Sequence, residues 1–600
     1  MPTSSISSPF PIFTDIDGQP LENGYIFIGV ANLGPIGNPI NVYWDAALTI
    51  PAAQPIRTLG GYPVNNGTPA RLYVNSQYSI QVQNRNGSVI YSAPVDTEFM
   101  SSENVSYLPS GTGAVATTVQ TKLRESVSVL DFYANGVSGV PVDPTGAVDS
   151  TLGIQAAFNS GHSVDVPDGN YLITEAFTVT ASDIEINCKG FLVFDWAQIG
   201  AADAITFSGN NVKTKLNAKA LSSAYVLANK ATLQAYNCFL FTGNDCQSND
   251  GVSQNNPGFV KSGGASTRFT ACGNEGYSIV TGLAQDSMDI YLIHVNDGEG
   301  CNISNNKGYG FGHGILFGGS TNESVLDGNN FWDCGNHCIY ISSGNRNIVS
   351  NNRAEGTYTD IKVRGDYNVI TGNNVVGGVL SATNAVVDSE GGNCINSLLV
   401  SANSVLCNRG LVSPIEVAYK SGFDGYAENI VVTGNTVRIG AAANFGIAVN
   451  FSKLANVIVS CNAVQLAAGG SVADAIYVSP TLGTVITDAY RLTIANNNIS
   501  GATGQAFQIT GTKVSITGNN AVASGGSGTN SGTCLVYGDE VTVTGNTLET
   551  LNNVGVINLR GGTTLSGLVV GNILKRVSGG TTTHVVSTYT PVDANNIKIN

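Results

Sequence analysis

From about residue 265 onward, hydrophobic and polar positions alternate in short runs, and no stretch sustains the 3.6-residue period of an amphipathic helix. Two kinds of run take turns. One ends in a small polar residue and an asparagine, as in "NIVSNN" (Asn347–Asn352) and "NVITGNN" (Asn368–Asn374). The other lies between successive asparagines: "DIYLIHV", "HGILF", "HCIYIS", "TDIKVRG", "PIEVAY", "FGIAVN", "DAIYVS" and "AFQIT". The asparagines fall at 274, 306, 329, 352, 373, 403, 435, 462, 497, 519, 546 and 572. Their spacing runs from 21 residues (Asn352 to Asn373) to 35 (Asn462 to Asn497). A fixed residue with elastic spacing marks a solenoid whose turns absorb insertions. The pattern predicts an all-β chain whose residues 125–575 form a right-handed, single-stranded parallel β-helix, with the asparagines stacked at one corner. Isolated hairpins would also use Asn-Gly words, but would not keep them in phase with a second strand.

Upstream, "SVLDFYANG" (Ser128–Gly136) leads into "DSTLGIQAAFNSGHSVDVPDGNYLI" (Asp149–Ile173), where Ile154, Ala157 and Phe158 form the apolar side of a short helix. This order resembles the entry to the pectate-lyase-like β-helix superfamily, in which a helix caps the first coil and covers its open strand edges. Residues 1–108 differ in character, with proline-punctuated strands such as "PIFTDIDG", "GYIFIG" and "NPINVYWD", and Asn-Gly turns at Asn66–Gly67 and Asn86–Gly87. The words at Gly24–Gly29, Asn38–Tyr43, Gln54–Ile56, Gly60–Gly67 and Tyr78–Val82 resemble the head-binding domain of tailspikes from short-tailed (podovirus-type) phages. The polar stretch Ser101–Thr121 reads as connecting chain, so a linker is expected over 109–124 and a short tail over 576–600.

Composition narrows the classes. The formal net charge is −15 with only 12% charged residues, a poor basis for binding nucleic acid through phosphates. Seventy-two glycines fit a turn-rich β-protein. The cysteines include no CxxC pair and read as reduced, buried thiols. In "CGNHC", the spacing of Cys334, His337 and Cys338 is not a recognised zinc pattern, and neither a metal nor a cofactor is expected. The N-terminus lacks the charged and apolar regions of a secretory signal, and no run is long enough to span a bilayer. Synthesis in a host cytoplasm and no membrane insertion are expected.

The resemblance to tailspikes implies a homotrimer in the phage tail of the virion. It implies attachment to tail or head-neck proteins through residues 1–108, and binding and usually cleavage of a bacterial surface polysaccharide, O-antigen or capsule. The residues must supply the chemistry. Strand parity in "TDIKVRG" and "PIEVAY" directs Ile361, Val363, Ile415 and Val417 inward, and so Asp360, Lys362, Arg364 and Glu416 outward. With Asp388, they give carboxylates on three successive coils: Asp360, Asp388 and Glu416 are the expected catalytic residues. Lys362, Arg364, Glu390, Tyr340, Tyr358, Tyr419 and Trp332 are the expected substrate contacts, with Asp289, Tyr291 and Tyr367 nearby. His313 and His337 head adjacent coils, as a stacked polar ladder or a base. Three activities remain: endoglycosidic hydrolysis by paired carboxylates, β-elimination of a uronate polymer in which Lys362 and Arg364 neutralise the acid, or adhesion without cleavage.

Overall fold

The structure is a computed structural model. It describes residues 12–95, 102–103, 105–199, 204–221, 231–235, 240–242, 245–248, 258–262, 265–278, 291–356, 359–383, 394–418, 425–480, 486–523, 525, 531–561, 566–576, 583–588 and 591–599. The chain divides into two compact units, Met1–Glu125 and Ser126–Asn600.

The first unit is built on a six-stranded antiparallel sheet whose central strand, Tyr25–Val30, pairs with Ile56–Leu59 on one side and Tyr78–Gln83 on the other. Leu21, Ile26, Ile28, Val42, Ile56 and Val82 form its small core. The Gln54 side chain ties this core together: its Nε2 donates to the Ile28 and Ile40 carbonyls at 2.8 Å, and its Oε1 accepts from the Ile28 amide.

The second unit is a parallel β-helix with three strands per coil. In the coil that begins at His313, the first face is His313–Asn322, the second Val325–Asp327 and the third Asn330–Cys334; we call these faces A, B and C. Face C is a continuous sheet of 17 strands, and faces A and B join into one of 36. The helix Thr151–Phe158 closes the entry as expected, with Ile154, Ala157 and Phe158 fully buried. Strands continue to Ile597–Ile599, so residues 583–588 and 591–599 extend the coils where a tail was expected.

The asparagines stack at the corner between faces B and C. Asn403 shows the rule: its Nδ2 donates to Asn435 Oδ1 at 2.9 Å and to the Ile370 carbonyl at 3.0 Å. Its Oδ1 accepts from both the backbone N–H and the Nδ2 of Asn373, each at 2.9 Å. Every donor and lone pair of the amide is thereby used. All twelve expected asparagines join this ladder, and Asn596 adds a thirteenth rung by accepting from Asn572.

The residue before each rung has positive φ, from Gly273 (64°) through Asn305 (56°) to Asn595 (55°). Glycine and asparagine tolerate that left-handed conformation, which explains why the repeated word ends in Gly-Asn or Asn-Asn except at Ala402 and Cys461. A second left-handed corner, between faces A and B, recurs at Glu323, Arg346, Tyr367, Asn429, Asn456, Arg491, Lys513 and Glu540. No such repeat was read from the sequence, because the residue types there vary.

An interior rung has no substitute. Asn403→Ala leaves the amide partners of two neighbouring coils unsatisfied and should cost about 2–4 kcal/mol. Asn403→Asp also loses both donors and buries a charge, so it should cost more. Asn596→Ala, at the last rung, should cost less than either. Urea unfolding of the three variants checks this order.

Candidate functional site

In face A the side chains of Ile339, Ile341, Ile361, Val363, Ile415 and Val417 are buried in the core. The residues between them point outward, and parallel pairing puts them in line. One outward column runs through Tyr340, Lys362, Ser381, Glu416, Ala448 and Tyr477 in unbroken register. At about 4.8 Å per coil, its five steps span roughly 24 Å.

The two ends of the column are aromatic. At one end, the Tyr340 ring lies 4.6 Å from the His337 ring and 5.8 Å from that of His313. The Arg364 guanidinium sits 5.2 Å from the Tyr340 centroid and the Lys362 ammonium 5.7 Å, both within reach of a cation–π contact. Arg364 is only 8% exposed, and its Nε has no hydrogen-bond partner. At the other end Tyr477 stacks on Phe445, centroids 4.1 Å apart and planes at 16°.

Between these ends lie two small side chains, Ser381 and Ala448, on either side of Glu416. Burial raises the Glu416 carboxyl above its ordinary range, against the Lys362 charge and the Ser381 side chain, which favour the ionised form. Asp474, in register with Phe445, is pushed up to about 7 by burial, opposed by the Gln505 amide, whose N–H donates to it at 3.4 Å. His337 is driven well below its ordinary value by burial, then by His313, Lys362 and Arg364, and is a neutral imidazole. Its ring lies 5.2 Å from that of His313, with the planes tilted by 32°. The column thus offers flat rings at both ends, an acid with a raised pKa in the middle, and cationic groups beside it.

Asp360 corrects the parity argument. It lies at the turn from face C into face A, one residue before the strand Ile361–Arg364, where period-two alternation does not yet apply. The residue is fully buried, and neither carboxyl oxygen has a hydrogen bond of normal geometry. Its carboxyl occupies the space that side chains at Gly356 and Gly378 would fill: a Cβ on either would come within 2.5 Å of Oδ1. Burial pushes this acid well up, more than the Gly356 and Gly378 amides and Arg409 pull it down. Asp360 is an interior group and not the outward acid that parity implied.

The other expected residues divide. Lys362, Arg364, Tyr340 and Glu416 come together on face A. Trp332 does not: it stands on face C, in register with Tyr309 and Glu355. Tyr291 is 1% exposed and so offers no platform, while Tyr367 is exposed at the corner between faces A and B. Asp388, Glu390, Tyr358, Tyr419 and Asp289 lie outside the described residues. Sequence reading overlooked Phe445, Asp474 and Tyr477. The run "DAIYVS" held two of them, but Phe445 meets Tyr477 diagonally across paired strands, three residues from Tyr477's register partner Ala448.

Three comparisons bear on this chain. Residues 217–397, within the coils, match the family model "Periplasmic copper-binding protein (NosD)". No curated protein matches. Among solved structures, the chain is similar to a mutant tailspike protein of E. coli bacteriophage HK620 in complex with a pentasaccharide. That match has 16% identity, covers 81% of this chain and 82% of that one, and gives a TM-score of 0.41. A double mutant of the same tailspike matches at 13% identity over the same shares, with a TM-score of 0.38.

The elevated Asp474 acid has a measurable consequence. The folded state binds its proton up to about pH 7, whereas an unfolded aspartate releases it near 3.8. Its contribution is therefore complete below about pH 4 and lost as pH rises through 7, at most roughly 4 kcal/mol. Asp474→Asn should match wild type near pH 4 and melt higher at pH 8. Thermal melts at the two pH values check the crossover.

Proposed function

We propose that the chain is a phage tailspike that binds and depolymerises a bacterial surface polysaccharide, O-antigen or capsule, along face A. The observation that carries this reading is the column from Tyr340 to Tyr477. Its rings are spaced for several sugar units, and an acid with a raised pKa lies in the trough between them. The sequence resemblance of residues 1–108 to the head-binding domain supports attachment to the virion, and the coils then present face A to the polymer.

In the hydrolytic reading Glu416 is the general acid, protonated when the glycosidic oxygen needs a proton. Asp388 or Glu390, the further acids expected from the sequence, supplies the second carboxylate. Lys362 and Arg364 bind the chain beside the Tyr340 ring.

One observation favours a second reading, elimination from a uronate-containing polymer. Arg364 is a buried guanidinium whose Nε lacks a partner, and with Lys362 it makes a seat for a sugar carboxylate. Neutral His337 would then be the base that removes the C5 proton.

Incubation with polysaccharide from a susceptible host, followed by sizing and ultraviolet absorbance, separates the readings. Hydrolysis gives shorter chains with new reducing ends, elimination adds an absorbing double bond, and pure adhesion leaves length unchanged. Under hydrolysis Glu416→Gln should slow cleavage by ~10²–10⁴-fold while binding persists. Cleavage by that variant at the wild-type rate removes Glu416 from the mechanism.

Assembly as a homotrimer belongs to the same proposal. On face B the outward residues Val325, Ile348, Val369, Leu399, Val431 and Ile458 stack in register as an aliphatic stripe over six coils. Ile348 and Ile458 are each 40% exposed. A contiguous apolar strip on a flat sheet marks an interaction surface. Light scattering should report three copies for the wild type, and a smaller species for the double variant Ile348→Glu/Ile458→Glu.

A further inference from the structure

Face C carries a feature that the face A column does not use. Tyr309 and Trp332, in register on adjacent coils, stack with centroids 5.5 Å apart and planes at 13°. Lys307 Nζ lies 5.9 Å from the indole centroid. The stack stops at Trp332, because its register partner in the next coil is Glu355 rather than a ring. Beyond the indole therefore stands a carboxylate, held at 2.5 Å by Arg353, both side chains being nearly half exposed. Arg353 also reaches Asn330 Oδ1 at 3.4 Å.

The strand is interrupted at this point. Register skips between Trp332 and Cys334, so Asp333 is the extra residue of a bulge, with φ at 53°. Bulges re-aim side chains, and a non-glycine residue in the left-handed region costs energy unless the surroundings require it. Asp333 is partly buried, and burial raises its carboxyl above the ordinary range. The bulge thus sets a second acid next in the chain to Trp332, opposite the step from Glu355 to Gly356 in the neighbouring coil.

We infer that face C holds a second saccharide-binding site, in which a pyranose ring stacks on the indole of Trp332 and its hydroxyls bond to Glu355, Asp333 and Asn330. An aromatic face edged by hydrogen-bonding groups suits the mixed character of a sugar ring: C–H groups meet the ring and hydroxyls meet the carboxylates. An apolar peptide or a lipid tail would cover the Arg353–Glu355 ion pair and offer it no hydrogen bond. The chain's charge of −15 disfavours nucleic acid at an acidic site.

This inference rests on the polysaccharide reading and adds a role to it. The strands that carry the stack belong to the coils whose face A strands are Tyr291–Val295 and His313–Asn322. Sites on two faces of neighbouring coils let one spike hold two neighbouring polymer segments, so the second site raises effective affinity for a dense glycan layer without contributing to bond cleavage.

The test uses the full chain in a Glu416→Gln background, to slow cleavage, against immobilised lipopolysaccharides and capsules from a panel of bacterial strains. For a polymer that binds, Trp332→Ala and Glu355→Gln should each weaken binding by about tenfold, whereas Trp332→Phe should retain most of it. Glu355 is on the surface, so its variant separates recognition from folding. In the otherwise unmodified chain, Trp332→Ala should cut soluble short oligosaccharide at the wild-type maximal rate. If Trp332→Ala and Glu355→Gln both bind as their background does, the face C site is overturned and the face A reading stands. If no polymer on the panel binds any form of the protein, both fall.

Discussion

The asparagine ladder is the constraint on which the rest of the β-helix depends. A parallel sheet slipped by one residue turns every side chain to the opposite face. Each rung prevents that, because an amide that both donates to and accepts from its neighbours is satisfied at one register only. Connections between strands can then vary in length without disturbing the stack, since each coil is set again at the next asparagine. The left-handed residue before each rung turns the chain from face B to face C.

Fixed register turns short sequence words into long surface columns. On face A the column collects rings, cations and an acid; on face B it collects aliphatic side chains; on face C it ends an aromatic stack against a carboxylate. No single strand contains any of these features. The same geometry sets acidity, because a carboxyl set among neighbouring coils loses water on several sides. Glu416 and Asp474 are both raised chiefly by burial, while the exposed Glu355 is held by Arg353.

The sequence made the architecture legible because the ladder needs one residue type at one position. Twelve asparagines share one phrase in the sequence, and among the described residues Asn596 joins their ladder from outside that series. The site was legible in part. Lys362, Arg364 and Glu416 lie within strands whose inward neighbours are unmistakable, so parity directed them outward, and their strands stack on face A. Asp360 failed at the turn preceding such a strand, where no alternation governs the side chain and the bare backbones of Gly356 and Gly378 make room for a carboxyl. Trp332 failed for another reason: strand parity says whether a residue faces outward, and not which of three faces it occupies. Phe445 and Tyr477 meet only through pairing between coils, a relation that neither local sequence contains.

The central claim is that polymer runs along face A between Tyr340 and Tyr477. Hydrogen exchange read by mass spectrometry, with and without bound polysaccharide, tests it most directly. The account predicts slower exchange in the strands His337–Ser343, Ile361–Arg364, Ile415–Ala418 and Ser471–Pro480, with face B strands such as Ile348–Ser350 unchanged. Protection confined to face B, or absent from all four face A strands while polymer is demonstrably bound, would contradict it.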